Sequence, residues 1–339
     1  MSLPVELSVV VPTYNRRVRL GRVLAALERQ SLPAASFEVI VVDDGSTDDT
    51  SAWLAARQFP FALRSSRQEN GGPARARNAG VELARAALVL FLDDDVVPEP
   101  ELLAEHLKSH EGAPEVAVIG TMESLEHYEH PWVAWEQAQL EKQYTAMGRG
   151  EWEPTYRQFW TGNASLPKRH IVEAGGFDPE YRRAEDIELA MRMRDRGLGF
   201  RFNPRARGLH HAERSLESWM STQTSYGTLD TRMLARRGED ELVHVLGGNW
   251  SRLDGLMRSL IMSCAAGKRR QALTVSALRA AVTGASALPN LPGLPDTAWP
   301  VQKACSALAN LLYWSAVYET AGSRGFHAIV RRGDAMRAA

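Results

Sequence analysis

The chain has 339 residues, 44% hydrophobic and 24% charged, which excludes the disordered and fibrous classes and allows one large domain with an appendage. Forty Lys+Arg and 41 Asp+Glu nearly cancel to a net charge of -1, so nothing draws the whole molecule to nucleic acid. Two cysteines, Cys264 and Cys305, are too few for a disulfide framework or a zinc site and suit a reducing cytoplasm.

"MSLPVELSVVVPTYNRR" has no basic stretch before its short apolar run, so no signal peptide is expected there. "LSVVVPT" reads as a β-branched strand halted at Pro12, and "RLGRVLAALERQSL" follows with leucines at helical spacing. "FEVIVVDDGSTDDT" is a second strand stopping at Asp43-Asp44-Gly45, with Ser46 or Thr47 available to cap the next helix. "FALRSS" is a third apolar piece, and "ENGGPARARNAGVELARAA" a glycine-rich turn leading into a helix. The apolar run "ALVLFL" then ends directly in Asp93-Asp94-Asp95, and strand alternation puts Asp93 and Asp95 on one side and Asp94 on the other. Two converging carboxylates repel unless a positive charge lies between them.

Strands alternating with helices from the start imply right-handed crossovers and a mostly parallel sheet. Ligands of such sheets gather beyond the carboxyl ends of the strands, where "PTYNR", "DDGS" and "DDDVVP" all fall. From 111 to 208 the pattern is mixed, with a strand at "VAVIGTM" and a strand, helix, turn, helix and strand from Trp160 to Pro204. Beyond Arg214 the chain turns helical, with a Pro/Gly-rich break at "LPNLPGLPD". Residues 236–339 carry 13 Lys+Arg against 7 Asp+Glu, a locally basic tail. No apolar run reaches the roughly 18–20 residues of a membrane span. The longest, "ALTVSALRAAVTGASAL", is interrupted by Arg279.

Taken together, "VVVPTYNR", "VVDDGSTDDT", "NGGPARARNAG", "FLDDDVVP", "WTGNASLPKR", "GGFDP" and "AEDIELAMR", in that order, resemble the family 2 glycosyltransferases. The resemblance spans roughly residues 6–235. It implies an α/β GT-A domain over 1–235, a Rossmann-like, mostly parallel sheet flanked by helices, with a mainly helical extension over 236–339. It also implies an inverting enzyme that takes its sugar from a UDP- or dTDP-sugar. Pro12, Thr13, Tyr14 and Asn15 would wall the base, and Asp44 would accept from its ring N–H. Arg77 would reach the base or the phosphates, while Gly162 and Asn163 line the sugar pocket and Trp160 stacks on a sugar ring.

By the same resemblance Asp95 is the direct ligand of a divalent cation, Mn²⁺ or Mg²⁺, and Asp93 contacts the ribose or the metal's waters. Asp94, on the opposite face, belongs to the same donor-binding motif. His210 would be a third ligand, with His211 the alternative. In the Glu185-Asp186 pair, Asp186 would be the base that deprotonates the acceptor hydroxyl. Carboxylates at a helix start also stabilise its dipole, so the pair is open to a purely structural reading.

Two rivals belong to other classes. A sugar-nucleotide nucleotidylyltransferase would need a glycine-rich loop where this chain has "PTYNR"; a catalytically silent binding domain of the same fold would not need Asp93, Asp95 and Asp186. The expected partners are a nucleotide-diphosphate sugar and a hydroxyl acceptor, without nucleic acid. The basic tail, with Trp299, Tyr313, Trp314 and Tyr318, suits either peripheral contact with the inner face of a membrane or packing on protein, including a second copy.

Overall fold

A computed structural model describes residues 5–124, 130–265, 267–286 and 298–338. It divides into two compact units, one formed by residues up to 124 with 137–212, the other by 130–136 with 213–338. The boundary thus falls near Ala212, earlier than the expected 235, because the helix Leu216–Arg237 is continuous and packs with the helices after it. The Pro/Gly-rich break at 288–296 lies outside the described residues.

The first unit is built on one eight-stranded sheet. Its strands are β1 (Leu7–Thr13), β2 (Phe37–Asp43), β3 (Ala62–Arg67), β4 (Leu88–Leu92), β5 (Val96–Pro98), β6 (Val116–Ser124), β7 (Asn163–Pro167) and β8 (Gly199–His210). They lie in the order β3-β2-β1-β4-β7-β6-β8-β5. The first four are mutually parallel, β7 runs antiparallel between β4 and β6, and β6 and β8 are parallel. This is the mostly parallel α/β sheet that the strand-helix alternation predicted.

β2 and β4 are buried at every residue, and β1 at all but Pro12, so these strands are near-continuous runs of Val, Leu and Ile. Leu20, Val23, Leu24 and Leu27 of α1 (Arg17–Leu27) join a core with Leu7, Val9, Val11, Val39 and Val41. The predicted Ser46 or Thr47 cap of α2 (Thr50–Ala55) does not form. Asp48 instead accepts from the Thr50 amide at 3.1 Å, while the Thr47 amide donates to Asn15 at 2.7 Å. The helix α3 (Pro73–Leu83) starts on a proline and lies so close to β1 that a Cβ on Gly80 would meet Val10 Cγ1 at 2.3 Å. The remaining helices of this unit are α4 (Leu102–His110), α5 (Pro131–Gly148, from Gln137 onward), α6 (Lys168–Glu173) and α7 (Glu185–Arg194).

Between α4 and the sheet runs a polar chain with every orientation determined. Asn163 Nδ2 donates to the carbonyls of Thr121 and Ala206, both at 2.9 Å, so its Oδ1 faces His106 Nε2 at 2.9 Å. His106 therefore carries its proton on Nε2, and its Nδ1 accepts from Ser165 Oγ at 2.8 Å. Ser165 Oγ in turn accepts from His110 Nε2 at 2.8 Å.

The second unit is helical: α8 (Leu216–Arg237), α9 (Glu239–Ser251), α10 (Gly255–Ala265), α11 (Lys268–Ser286) and α12 (Ala298–Ala338), the last interrupted by Gly322 at φ 70°. Its centre is aromatic. Trp250 meets Trp314 edge-to-face at 5.1 Å and Phe326 at 5.9 Å. Trp314 is only 2% exposed, and the Tyr313 hydroxyl donates to Asp230 at 2.7 Å. The "ALANLLYWSAV" helix thus places Trp314 in the core of its own helical unit; the side chain of Trp299 lies outside the described residues.

Burial pushes both His106 and His110 down to about 4. Since the unfolded chain binds protons on these rings below about 6.5, their contribution to stability is complete above that pH and is lost as pH falls toward 4. For fully buried His106 the loss is on the order of 3 kcal/mol. Urea midpoints should drop between pH 6.5 and 4, and more shallowly in His106→Gln. Equal slopes in the two proteins would show that this ring does not carry the effect.

Candidate active site

The site collects at the carboxyl ends of β1, β2 and β4. β4 ends at Leu92, and the Val96 amide donates to the Asp93 carbonyl at 3.1 Å, so the three aspartates form a turn and not an extended strand. The predicted pairing of Asp93 with Asp95 is therefore corrected. Asp94 and Asp95 share Arg16, whose NH1 lies 2.9 Å from Asp94 Oδ1 and 3.1 Å from Asp95 Oδ2. Asp93 turns instead to Arg77, 2.8 Å away. Asp94 is buried, also accepts from Thr13 Oγ1 at 2.7 Å, and is pushed up to about 6 by burial against the opposing pull of Arg16.

Arg77 is buried as well, and its guanidinium spans two carboxylates. One nitrogen reaches Asp93 at 2.8 Å and the other Glu185 Oε1 at 2.5 Å. Burial disfavours the charge of Arg77, but Asp93, Glu185 and Asp186 more than offset this and raise its pKa. Asp186 stands beside this pair at the start of α7. It accepts from the Ile187 amide at 2.8 Å and the Thr161 amide at 3.4 Å. Burial first and the charge of Glu185 second push Asp186 up to about 7, against the pull of Arg77.

At the end of β8, His210 and His211 separate. His210 Nε2 lies 3.8 Å from Asp95 Oδ1, and its Nδ1 contacts Gln137 Nε2. The His211 ring faces Arg22 at 3.4 Å, and its backbone amide donates to the Asp95 carbonyl at 2.8 Å. Among the described residues no three His, Cys, Asp or Glu side chains converge on a metal position. Asp95 and His210 nevertheless present a carboxylate oxygen and an imidazole nitrogen as neighbours, a donor pair suited to Mn²⁺ or Mg²⁺ if a diphosphate supplies further oxygens. Asp93, expected on the same ion, is held on Arg77.

Several donor-site expectations change on the same geometry. The Asp44 carboxylate accepts from Gln68 Nε2 at 2.7 Å, the Gly71 amide at 2.9 Å and the Gly72 amide at 2.8 Å, so it holds the glycine loop ahead of α3. Asn163 is 1% exposed and wholly consumed by the polar chain described above, so it does not line a sugar pocket. Gly162 is a packing requirement: a Cβ there would meet Met122 Sδ at 2.4 Å and Asp93 Oδ2 at 3.1 Å. Trp160 is half-buried, with its edge toward Tyr144 at 5.8 Å. Pro12 is half-buried, and Tyr14 and Asn15 are exposed beside Thr13.

Arg16, Gln68 and Gln137 were missed by sequence reasoning. Arg16 follows "PTYN" directly and could have been suspected as the counter-charge for the aspartates. Gln68 and Gln137 reach their partners from 24 and 73 positions away in sequence, and no local pattern marks them.

A doubly oriented sheet with acidic groups at its carboxyl ends defines a GT-A fold, and solved structures of that class superpose on it. The crystal structure of S. aureus TarS gives a TM-score of 0.53 at 18% identity, covering 89% of this chain and 55% of that one. The mannosyltransferase PcManGT from Pyrobaculum calidifontis, in complex with GDP-Man and Mn²⁺, gives 0.52 at 19% identity, covering 99% and 83%. Residues 8–171 match the Glycosyl transferase family 2 model. Validoxylamine A glucosyltransferase of Streptomyces hygroscopicus subsp. jinggangensis is 34% identical over 219 residues, covering 57% of this chain and 52% of that protein. Pre-mycofactocin glycosyltransferase of Mycobacterium tuberculosis is 28% identical over 282 residues, covering 80% and 56%. The chain thus spans about half the length of these curated relatives.

Removing the Arg77 charge leaves Asp93, Glu185 and Asp186 without their shared cation. Arg77→Ala should cost about 3–5 kcal/mol in urea unfolding at neutral pH, as expected for one broken partner of a buried ion pair. The deficit should shrink in acid, where the carboxylates are neutralised. A loss that does not depend on pH would assign the effect to packing on Phe177 instead.

Proposed function

We propose that the first unit transfers a hexose-like sugar from a UDP- or dTDP-sugar to an acceptor hydroxyl, with inversion at the anomeric carbon. The observation that carries this reading is Asp186, a carboxylate pushed up to about 7 beside a strand-end cluster of acidic residues. A base is most useful when its pKa lies near the working pH. Glu185, the other member of the pair, is committed to Arg77 at 2.5 Å, so Asp186 is assigned the proton transfer and Glu185 the support of its position.

In the proposed step the acceptor oxygen bonds to the anomeric carbon as its proton passes to the Asp186 carboxylate. The bond from that carbon to the diphosphate oxygen breaks, and the electron pair leaves with the diphosphate. One displacement from one face inverts the centre. Asp95 and His210 would hold a divalent cation, Mn²⁺ or Mg²⁺, which when bound supplies Lewis-acid stabilisation of the diphosphate leaving group. Arg16, already on Asp94 and Asp95, is placed to add positive charge at the same point. The base would rest against Pro12, Thr13 and Tyr14, with Asn15 and Asp44 fixing the two loops around it.

Asp186→Asn should lower turnover by roughly 10²- to 10⁴-fold while leaving donor affinity within a few fold. Asp95→Asn should lose donor affinity that depends on Mn²⁺. A donor screen with UDP-, dTDP- and GDP-sugars, read by hydrolysis and by binding, supplies the assay. If no donor is bound or turned over with or without Mn²⁺, the silent-domain reading takes its place. A product of retained configuration would overturn the single displacement.

Because the base must be ionised, the rate should rise with pH through about 7 and then level off. An acid limb near the ordinary carboxylate range would remove Asp186 from the role.

A further inference from the structure

The second unit carries a surface that the transferase reading does not use. Between Asp254 and Asp296 the sequence holds Arg258, Lys268, Arg269, Arg270 and Arg279 and not one Asp or Glu. That stretch contains the two consecutive helices α10 and α11. Leu256 on α10 is 83% exposed and Leu273 on α11 is 73% exposed, the two highest values among the large exposed hydrophobic side chains of the described residues, and Met262 is 39% exposed. Lys268, Arg269 and Arg270 stand exposed at the connection between the helices, in sequence between Met262 and Leu273. Arg258 and Arg279 are already paired, with Asp334 and Glu217, which leaves the connection as the uncompensated charge.

Leucines bare to water on two consecutive helices, with clustered cations between them in sequence and no acidic residue in that stretch of chain, match one environment in both respects. The headgroup boundary of an anionic bilayer takes apolar side chains into its acyl region and attracts Lys and Arg at its surface. A single-stranded nucleic acid would call for aromatic stacking surfaces, and residues 255–298 contain none. We propose that the α10–α11 pair docks this chain on an anionic lipid bilayer, resting on the surface and not crossing it. No helix among the described residues is long and apolar enough to span one.

The test is co-sedimentation of the full chain with vesicles of phosphatidylcholine alone, or of phosphatidylcholine mixed with phosphatidylglycerol, at low and at raised salt. Partition should favour the anionic vesicles and weaken as salt rises. K268E/R269E/R270E should weaken it at least about 10-fold, given the per-charge attraction near an anionic surface. L256S/L273S should weaken it severalfold while leaving the salt dependence in place. Neither variant touches the carboxylate site, so donor binding should be unchanged and certifies the fold. Absence of binding to anionic vesicles at low salt overturns the proposal, as does equal binding to neutral vesicles or equal binding by the charge-reversed protein. A dimer in sedimentation that L256S/L273S dissolves would give this face to a second copy, and retention by RNA without vesicle binding would give it to nucleic acid; either outcome also overturns it.

Discussion

The Arg77 guanidinium is the interaction on which the site depends. Asp93 comes from the end of β4, Glu185 and Asp186 from the start of α7, and three carboxylates gathered around one point would drive each other apart. Arg77 arrives from a different element, α3, and its two terminal nitrogens fit two of the three. Its placement is itself a packing result. Gly80 lets α3 approach Val10 of β1 closely, and one turn earlier on that helix Arg77 is delivered to the carboxyl end of the sheet.

The same helix explains why two distant motifs occur together. Asn78 Nδ2 donates to the Phe177 carbonyl and its Oδ1 accepts from the Phe177 amide, each at 2.8 Å. A Cβ on Gly176 would strike the Asn78 side chain at 2.8 Å. Phe177 in turn lies under Arg77 at 5.9 Å and meets Phe91 of β4 edge-to-face at 5.2 Å. "ARARN" and "GGFDP" are thus the two halves of one joint that holds the guanidinium in place. Their roles are mechanical before they are chemical.

What was legible in the sequence follows from period and burial. β1 and β2 were legible because both faces are buried and a run of Val, Leu and Ile ends where polar residues begin, although β1 runs on through Pro12, where a stop was expected, to Thr13. Asp93 to Asp95 were misread because strand alternation was extended past Leu92, while the backbone had already turned; pairwise sidedness does not survive a turn. Asn163 was misassigned for a different reason. "WTGNAS" has the same local character whether its asparagine faces a ligand or a buried histidine, and only the partners from α4, β6 and β8 decide. The choice between His210 and His211 was open until the pairing of β8 with Val96 and Ser124 aimed one ring at Asp95 and the other at Arg22.

Backbone strain is concentrated where these side chains must be aimed. Among the described residues two non-glycine positions have left-handed φ, Asn15 at 54° and Ala184 at 55°. Asn15 tolerates this conformation better than most residues, and its side-chain oxygen accepts from the amides of Thr47 and Asp48, tying the loop after β1 to the loop after β2. Ala184 has no such bond. It precedes Glu185 directly, and its left-handed turn breaks the approach to α7 so that the helix begins on the two carboxylates. A left-handed alanine costs on the order of 1–3 kcal/mol. Two features around it oppose that cost, the Arg77–Glu185 ion pair and the acidic first turn at a helix N-terminus. The left-handed non-glycine positions therefore stay in the loops that orient polar groups, and none of those among the described residues lies in a strand.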